Sequence, residues 1–156
     1  KLTGFNSGFD VETNFWYGSY CFDQSIDISG GATYDVTIFS SLNTQLLPEV
    51  IRNKRWEEVN WLANHLEDFP GYTWEDLQQA IWELENDSYD YSDNNGSGFN
   101  ADEDMVDDMV SKAKLYGEGY IPMPGGWAAV TFVKTADLEN GLAVPSIQTV
   151  FIIVDP

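Results

Sequence analysis

The segment Ile147-Gln148-Thr149-Val150-Phe151-Ile152-Ile153-Val154 sets one amide side chain inside an apolar run, and its alternation decides the fold. In a strand, Gln148, Val150, Ile152 and Val154 share one face, while Ile147, Phe151 and Ile153 take the other. Both faces are apolar, as in a central strand covered on both sides, so Gln148 is expected to be buried. An unpartnered buried amide costs about 1–3 kcal/mol, so something must satisfy it. The plainer partner is the backbone of a nearby bend. The sharper one is a covalent bond from its carbonyl carbon to sulfur.

The chain holds one cysteine, Cys21, in Tyr20-Cys21-Phe22. A single thiol makes no intramolecular disulfide. Between two aromatics such a residue usually serves as a small hydrophobe in a core. Beside a glutamine carboxamide it has a second option: the sulfur attacks, ammonia leaves and an internal thioester remains.

Working outward, the first forty residues read as β. Phe15-Trp16-Tyr17 and Tyr20-Cys21-Phe22 are aromatic-rich, and Gly30-Gly31 precedes Tyr34-Asp35-Val36-Thr37-Ile38-Phe39. From about Asn53 the period changes, with Trp56, Val59, Leu62, Leu66 and Phe69 at helical spacing. A second helix is expected to open at Thr73, with Asp76 completing a capping box and Trp74, Leu77, Ile81 and Leu84 inward. Residues 86–101 read as a loop. A third helix is expected over 102–116, burying Met105, Val106, Met109, Val110 and Ala113, with Gly117 as its stop. Strands over 127–135 and 143–154 then flank Asn140-Gly141, a dipeptide favoured in tight hairpin turns; Pro145 stands near the start of the second. The whole chain, 1–156, reads as one α+β domain: a β-sandwich or barrel-like sheet from N- and C-terminal strands, with an inserted block of about three helices. Pairing of the first and last β regions would make Cys21 and Gln148 neighbours.

Apolar residues make up 43% of the 156, enough for a core without staples. Twenty-six Asp and Glu against seven Lys and Arg give a charge of −19, which argues against nucleic acid and anionic membranes as partners. No run approaches the ~20 apolar residues of a membrane span. The start, Lys1-Leu2-Thr3-Gly4-Phe5, has no apolar signal core, and the end follows a strong strand directly, so a domain of a longer, processed protein is expected.

The helix segment Gln78-Gln79-Ala80-Ile81-Trp82 completes a set with Tyr20-Cys21-Phe22 and Ile147-Gln148-Thr149-Val150. In that order the three resemble the signatures of the thioester domains of bacterial surface adhesins, a family marked by a Thr-Gln-x-Ala motif. Leu77 stands where many members carry threonine. The resemblance implies an extracellular, secreted or cell-surface domain that binds covalently. Cys21 would be the nucleophile of maturation, Gln148 the acyl donor, and an amine (typically a lysine) on a protein or surface ligand the partner. Gln78 and Trp82 would lie near the bond, polarising its carbonyl and screening it, with the Tyr20 hydroxyl as a further donor. Such a domain is a monomeric, single-turnover reagent without a cofactor, not an enzyme. The alternative is a non-covalent secreted binding module of the same fold with a free cysteine, supported by calcium. The five lysines (Lys1, Lys54, Lys112, Lys114 and Lys134) are few, which suits a protein carrying an acyl group but follows more simply from its acidity.

Between Asp87 and Asp108 stand eight carboxylates and no Lys or Arg. Asp93, Asn95, Gly96 and Asp102 fall at positions three, five, six and twelve of an EF-hand, but Tyr91 at position one is no carboxylate ligand. A looser calcium site from Asp87, Asp90, Asp93 and Asp102 stays open beside a solvated turn. His65, the only histidine, makes no zinc centre alone; a Cys21–His65 hydrolase dyad is the weakest alternative.

Overall fold

The structure, a computed structural model, describes residues 18–24, 26–52, 54–85 and 100–154. The expected strand at Phe15-Trp16-Tyr17 and the candidate ligands Asp87, Asp90 and Asp93 lie outside them. Four strands, β1 (Tyr20–Cys21), β2 (Val36–Ser40), β3 (Ala128–Lys134) and β4 (Val150–Val154), form one antiparallel sheet in the order β1-β4-β3-β2. The first and last strands therefore pair, and β4 is internal, as its two apolar faces require. The α+β class holds. The described strands form a single open sheet with β1 and β2 at its two edges, and the expected sandwich or barrel is not seen among them.

Three longer helices, α2 (Trp56–Ala63), α3 (Trp74–Glu85) and α4 (Glu103–Tyr116), pack together and against one sheet face; α1 (Glu49–Arg52) and α5 (Thr135–Glu139) are single turns. Phe22, Trp56 and Phe151 anchor the core: Phe22 stacks on Trp56 at 4.3 Å, and Phe151 meets Trp56 edge-on at 5.6 Å. On the other face Val130, Phe132, Ile152 and Val154 form a second buried cluster, with Val36, Ile38 and Val150 against it. Among the described residues no helix is long and apolar enough to cross a membrane.

The box at Thr73 forms as expected. Thr73 N–H donates to Asp76 Oδ2 at 2.6 Å, and Asp76 N–H donates back to Thr73 Oγ1 at 3.3 Å. The second oxygen of buried Asp76 accepts from Asp102 N–H at 2.6 Å, joining the starts of α3 and α4. Leu77, Ile81 and Leu84 are buried, but Trp74 is 62% exposed, because the first position of α3 overhangs the core.

The helix expected to run to Phe69 stops at Ala63. Asn64 spends its side-chain N–H on the carbonyl of Asn60, competing with the backbone, and the chain leaves in a single 3-10 turn over Leu66–Asp68. On α4, Val106, Met109, Val110 and Ala113 are buried and Met105 half-buried, close to expectation. Gly117 ends it with a φ of −86°, so no left-handed turn is involved; a Cβ there would stand 2.7 Å from the Glu58 Cα of α2. The expected hairpin at Asn140-Gly141 is absent. Helix α5 fills the connection, Asn140 caps it, Gly141 (φ 62°) turns away, and β4 begins only at Val150.

Candidate functional site

In the β1–β4 register Tyr20 pairs with Phe151 and Cys21 with Val150, and Phe22 N–H donates to Thr149 C=O at 3.0 Å. Hydrogen bonds thus fall at residues 20 and 22, leaving Cys21–Val150 as the narrow pair whose side chains approach most closely. Tyr20 and Phe22 pack into the helix-side core. By alternation the Cys21 thiol takes the opposite face, with Val150. Gln148 lies two residues before Val150, on the diagonal from Cys21; such diagonals span about 7–8 Å, within reach of long side chains.

Gln148 is 7% exposed, as the alternation predicted. Its Nε2 donates to the carbonyl of Asp23, and its N–H to the carbonyl of Asp27 at 3.2 Å. The amide is therefore satisfied by the backbone of a bend. Cys21 is a free, half-buried thiol, and burial raises its pKa.

Gln78 does something the sequence did not suggest. Read alone it is a solvated helix residue; in the fold it is 4% exposed. Its Oε1 accepts from Cys21 N–H at 2.7 Å, and its Nε2 donates to Cys21 C=O at 2.8 Å. These are the groups that Cys21, in a narrow pair, turns away from β4. Among the described residues Gln78 takes the place of a neighbouring strand, and a carboxamide is suited to this because it offers donor and acceptor side by side. Trp82 follows one turn later on α3, half-buried, its indole nitrogen shielded from solvent. Tyr20 lies on the other side of β1 from the thiol, stacked on Phe151 at 5.6 Å; burial, then Tyr72, raises its pKa. That placement aims it at the helical core rather than at Cys21.

Asp102 is engaged as the cap of α4, its Oδ1 accepting from Met105 N–H at 3.3 Å, and among the described residues no three candidate ligands cluster around an ion. His65 stacks on Trp61 at 4.4 Å and bonds the Trp61 carbonyl through Nδ1 at 2.7 Å. Among the described residues no hydrogen bond joins it to Cys21, as a dyad would need.

Two groups escaped the sequence reading. Asp137 accepts from Ser146 N–H at 2.8 Å and from Ser146 Oγ at 2.6 Å, holding the irregular segment that delivers Gln148 to β4. Glu85, at the end of α3, accepts from Arg55 N–H at 3.2 Å and lies 3.6 Å from Lys54 Nζ. Its side chain is 3% exposed, and burial pushes its pKa up to about 8 against the pull of Lys54. It borders a cleft of about 460 Å³ with Arg52, Lys54, Arg55, Glu57 and Glu58, which does not include Cys21 or Gln148. Only spacing to partners remote in sequence would have revealed either group. No family model, curated protein or solved structure matches the chain.

Proposed function

We propose that the chain is a covalent binding domain in which Cys21 and Gln148 form an internal thioester that acylates an amine on a target surface. The observation that carries this reading is the antiparallel pairing of β1 with β4, which brings the two ends of the chain into one ladder with Cys21 diagonal to Gln148. In maturation Cys21 Sγ attacks Gln148 Cδ, the C–N bond breaks, and the nitrogen held by Asp23 leaves as ammonia with the thiol proton. In use, an amine nitrogen attacks the same carbon, the C–S bond breaks, and the thiol is regenerated with an amide in place. Gln78 fixes the peptide unit of the nucleophile through two bonds. The burial that makes the thiol reluctant to ionise also makes its thiolate a poorer leaving group, protecting the thioester from water. A free lysine has a pKa of ~10.4, so the attacking amine must shed its proton locally.

The same reading makes the domain a single-turnover reagent, secreted or on a bacterial surface, with no catalytic cycle. Intact mass tests it: the protein should weigh one ammonia less than its sequence and add methylamine, and Cys21→Ala or Gln148→Ala should abolish both. A full-mass protein with a freely alkylatable thiol sinks it. A second reading, a non-covalent binding module with Cys21 reduced, is favoured by the hydrogen bond from Gln148 to the Asp23 carbonyl; it predicts that full-mass result.

A further inference from the structure

Lys134 closes β3 on the sheet face of Val130 and Phe132, the face to which Cys21 projects. The β3–β4 ladder ends at the pair Phe132 with Val150, two residues short of both Lys134 and Gln148. A direct contact holds the lysine near that end: Lys134 Nζ donates to Ser146 Oγ at 3.0 Å, and Ser146 stands two residues before Gln148. Ser146 Oγ in turn donates to Asp137 Oδ1 at 2.6 Å, and Lys134 Nζ lies 3.9 Å from that oxygen. Asp137 is 3% exposed, so its carboxylate is a fixed anchor for both partners.

A primary amine tethered beside an activated acyl carbon reacts as though present at very high concentration. An ammonium bonded to Ser146 and paired with Asp137 has no lone pair to attack with. We propose that Asp137 and Ser146 guard the acyl group of Gln148 against Lys134, so that the thioester survives for amines arriving from outside. The inference rests on the thioester reading above. Without the guard, Lys134 Nζ loses a proton and attacks Gln148 Cδ; the N–C bond forms, the C–S bond breaks, and Cys21 leaves with the proton as a free thiol. The product is an internal Lys134–Gln148 amide, equal in mass to the thioester but chemically silent.

The test compares the wild-type chain with Asp137→Asn and with Ser146→Ala, the second being an exposed and milder change. Each is read by intact mass, Cys21 alkylation, methylamine uptake and peptide mapping. The wild type should lack one ammonia, resist alkylation and take up methylamine. Either variant should keep the same mass but alkylate at Cys21, take up methylamine at least about tenfold less, and yield a cross-linked Lys134–Gln148 peptide. Adding Lys134→Arg should restore uptake. Variants that keep a blocked thiol and full uptake overturn the guard, as does a hydrolysed product without the cross-link. A wild type of full mass overturns the thioester reading instead.

Discussion

Asn64 and Gln78 each turn a side-chain carboxamide onto a single residue of another element and bond both its N–H and its C=O. Asn64 holds Trp127 at 2.7 Å on both sides, and Gln78 holds Cys21 at 2.7 and 2.8 Å. Their settings differ. Asn64 works beside Asn60, whose Oδ1 accepts from Ala129 N–H at 2.9 Å and from Ser41 Oγ at 3.0 Å, so α2 is stitched to the start of an internal strand twice over. Among the described residues Gln78 works alone, on a two-residue edge strand. From Val130 onward the internal strand is also held by ladders on both sides, so its carboxamides extend an element that is anchored elsewhere. Among the described residues the edge strand carrying the thiol has one ladder, and on its other side the Gln78 amide takes the place of a second. Among the described residues the backbone position of Cys21 therefore leans on one side chain.

Glu85 links the two helices that carry these clamps, since its oxygen accepts from the backbone N–H that precedes α2. Its folded pKa of about 8 stands above the ordinary 4.5, so the folded state holds the proton more tightly than the unfolded chain. The stabilisation is complete below pH 4.5, is lost progressively as pH rises to about 8, and stays lost above that. Glu85→Gln should flatten this window and stabilise the protein at pH 9 by on the order of a few kcal/mol in urea unfolding. A pH profile identical to that of the wild type would remove Glu85 from the junction.

Asn60→Ala should come next, at about 2–3 kcal/mol, because it orphans two buried donors. Its effect should be global, leaving any ammonia loss of the folded protein unchanged in intact mass. Gln78→Ala should cost about 2 kcal/mol and act locally, exposing the Cys21 peptide. In a Gln148→Ala background, where the thiol is free, it should speed alkylation of Cys21 at least about tenfold by raising the open population. Gln78→Glu should recover only part of the clamp, since a carboxylate accepts from Cys21 N–H but cannot donate to its carbonyl. Equal alkylation rates with Gln, Ala and Glu at position 78 in that background would show that β1 needs no clamp. Asn64→Ala should be the mildest, about 1 kcal/mol, visible in the fluorescence of half-exposed Trp127 and absent from Cys21 reactivity.

Local signals carried the reading of the helices well. Thr73 with Asp76 marked the start of α3, Asp102 and Gly117 bracketed α4, and the apolar alternation after Gln148 marked an internal strand. Where it went wrong, a local preference met a stronger distant partner. Asn64 ended a helix that its apolar stripe would have continued. Asn140-Gly141 favours a tight turn, yet α5 forms because Asp137 anchors Ser146 across the connection. Leu66 and Phe69 still reach the core from outside the helix, since burial asks only for position and not for secondary structure.

Taken by itself, the sequence determined the class of the domain, the internal place of β4 and the burial of Gln148, because hydrophobic periodicity is written in neighbouring residues. Only the tertiary structure decided that β1 runs beside β4, that Tyr20 turns away from the thiol, and that Gln78 is the missing edge partner of Cys21. Hydrogen bonds reach about 3 Å and depend on angle, so they join groups that no spacing along the chain relates. Whether a carboxamide faces water, caps a strand or meets a sulfur is settled by what folding brings beside it.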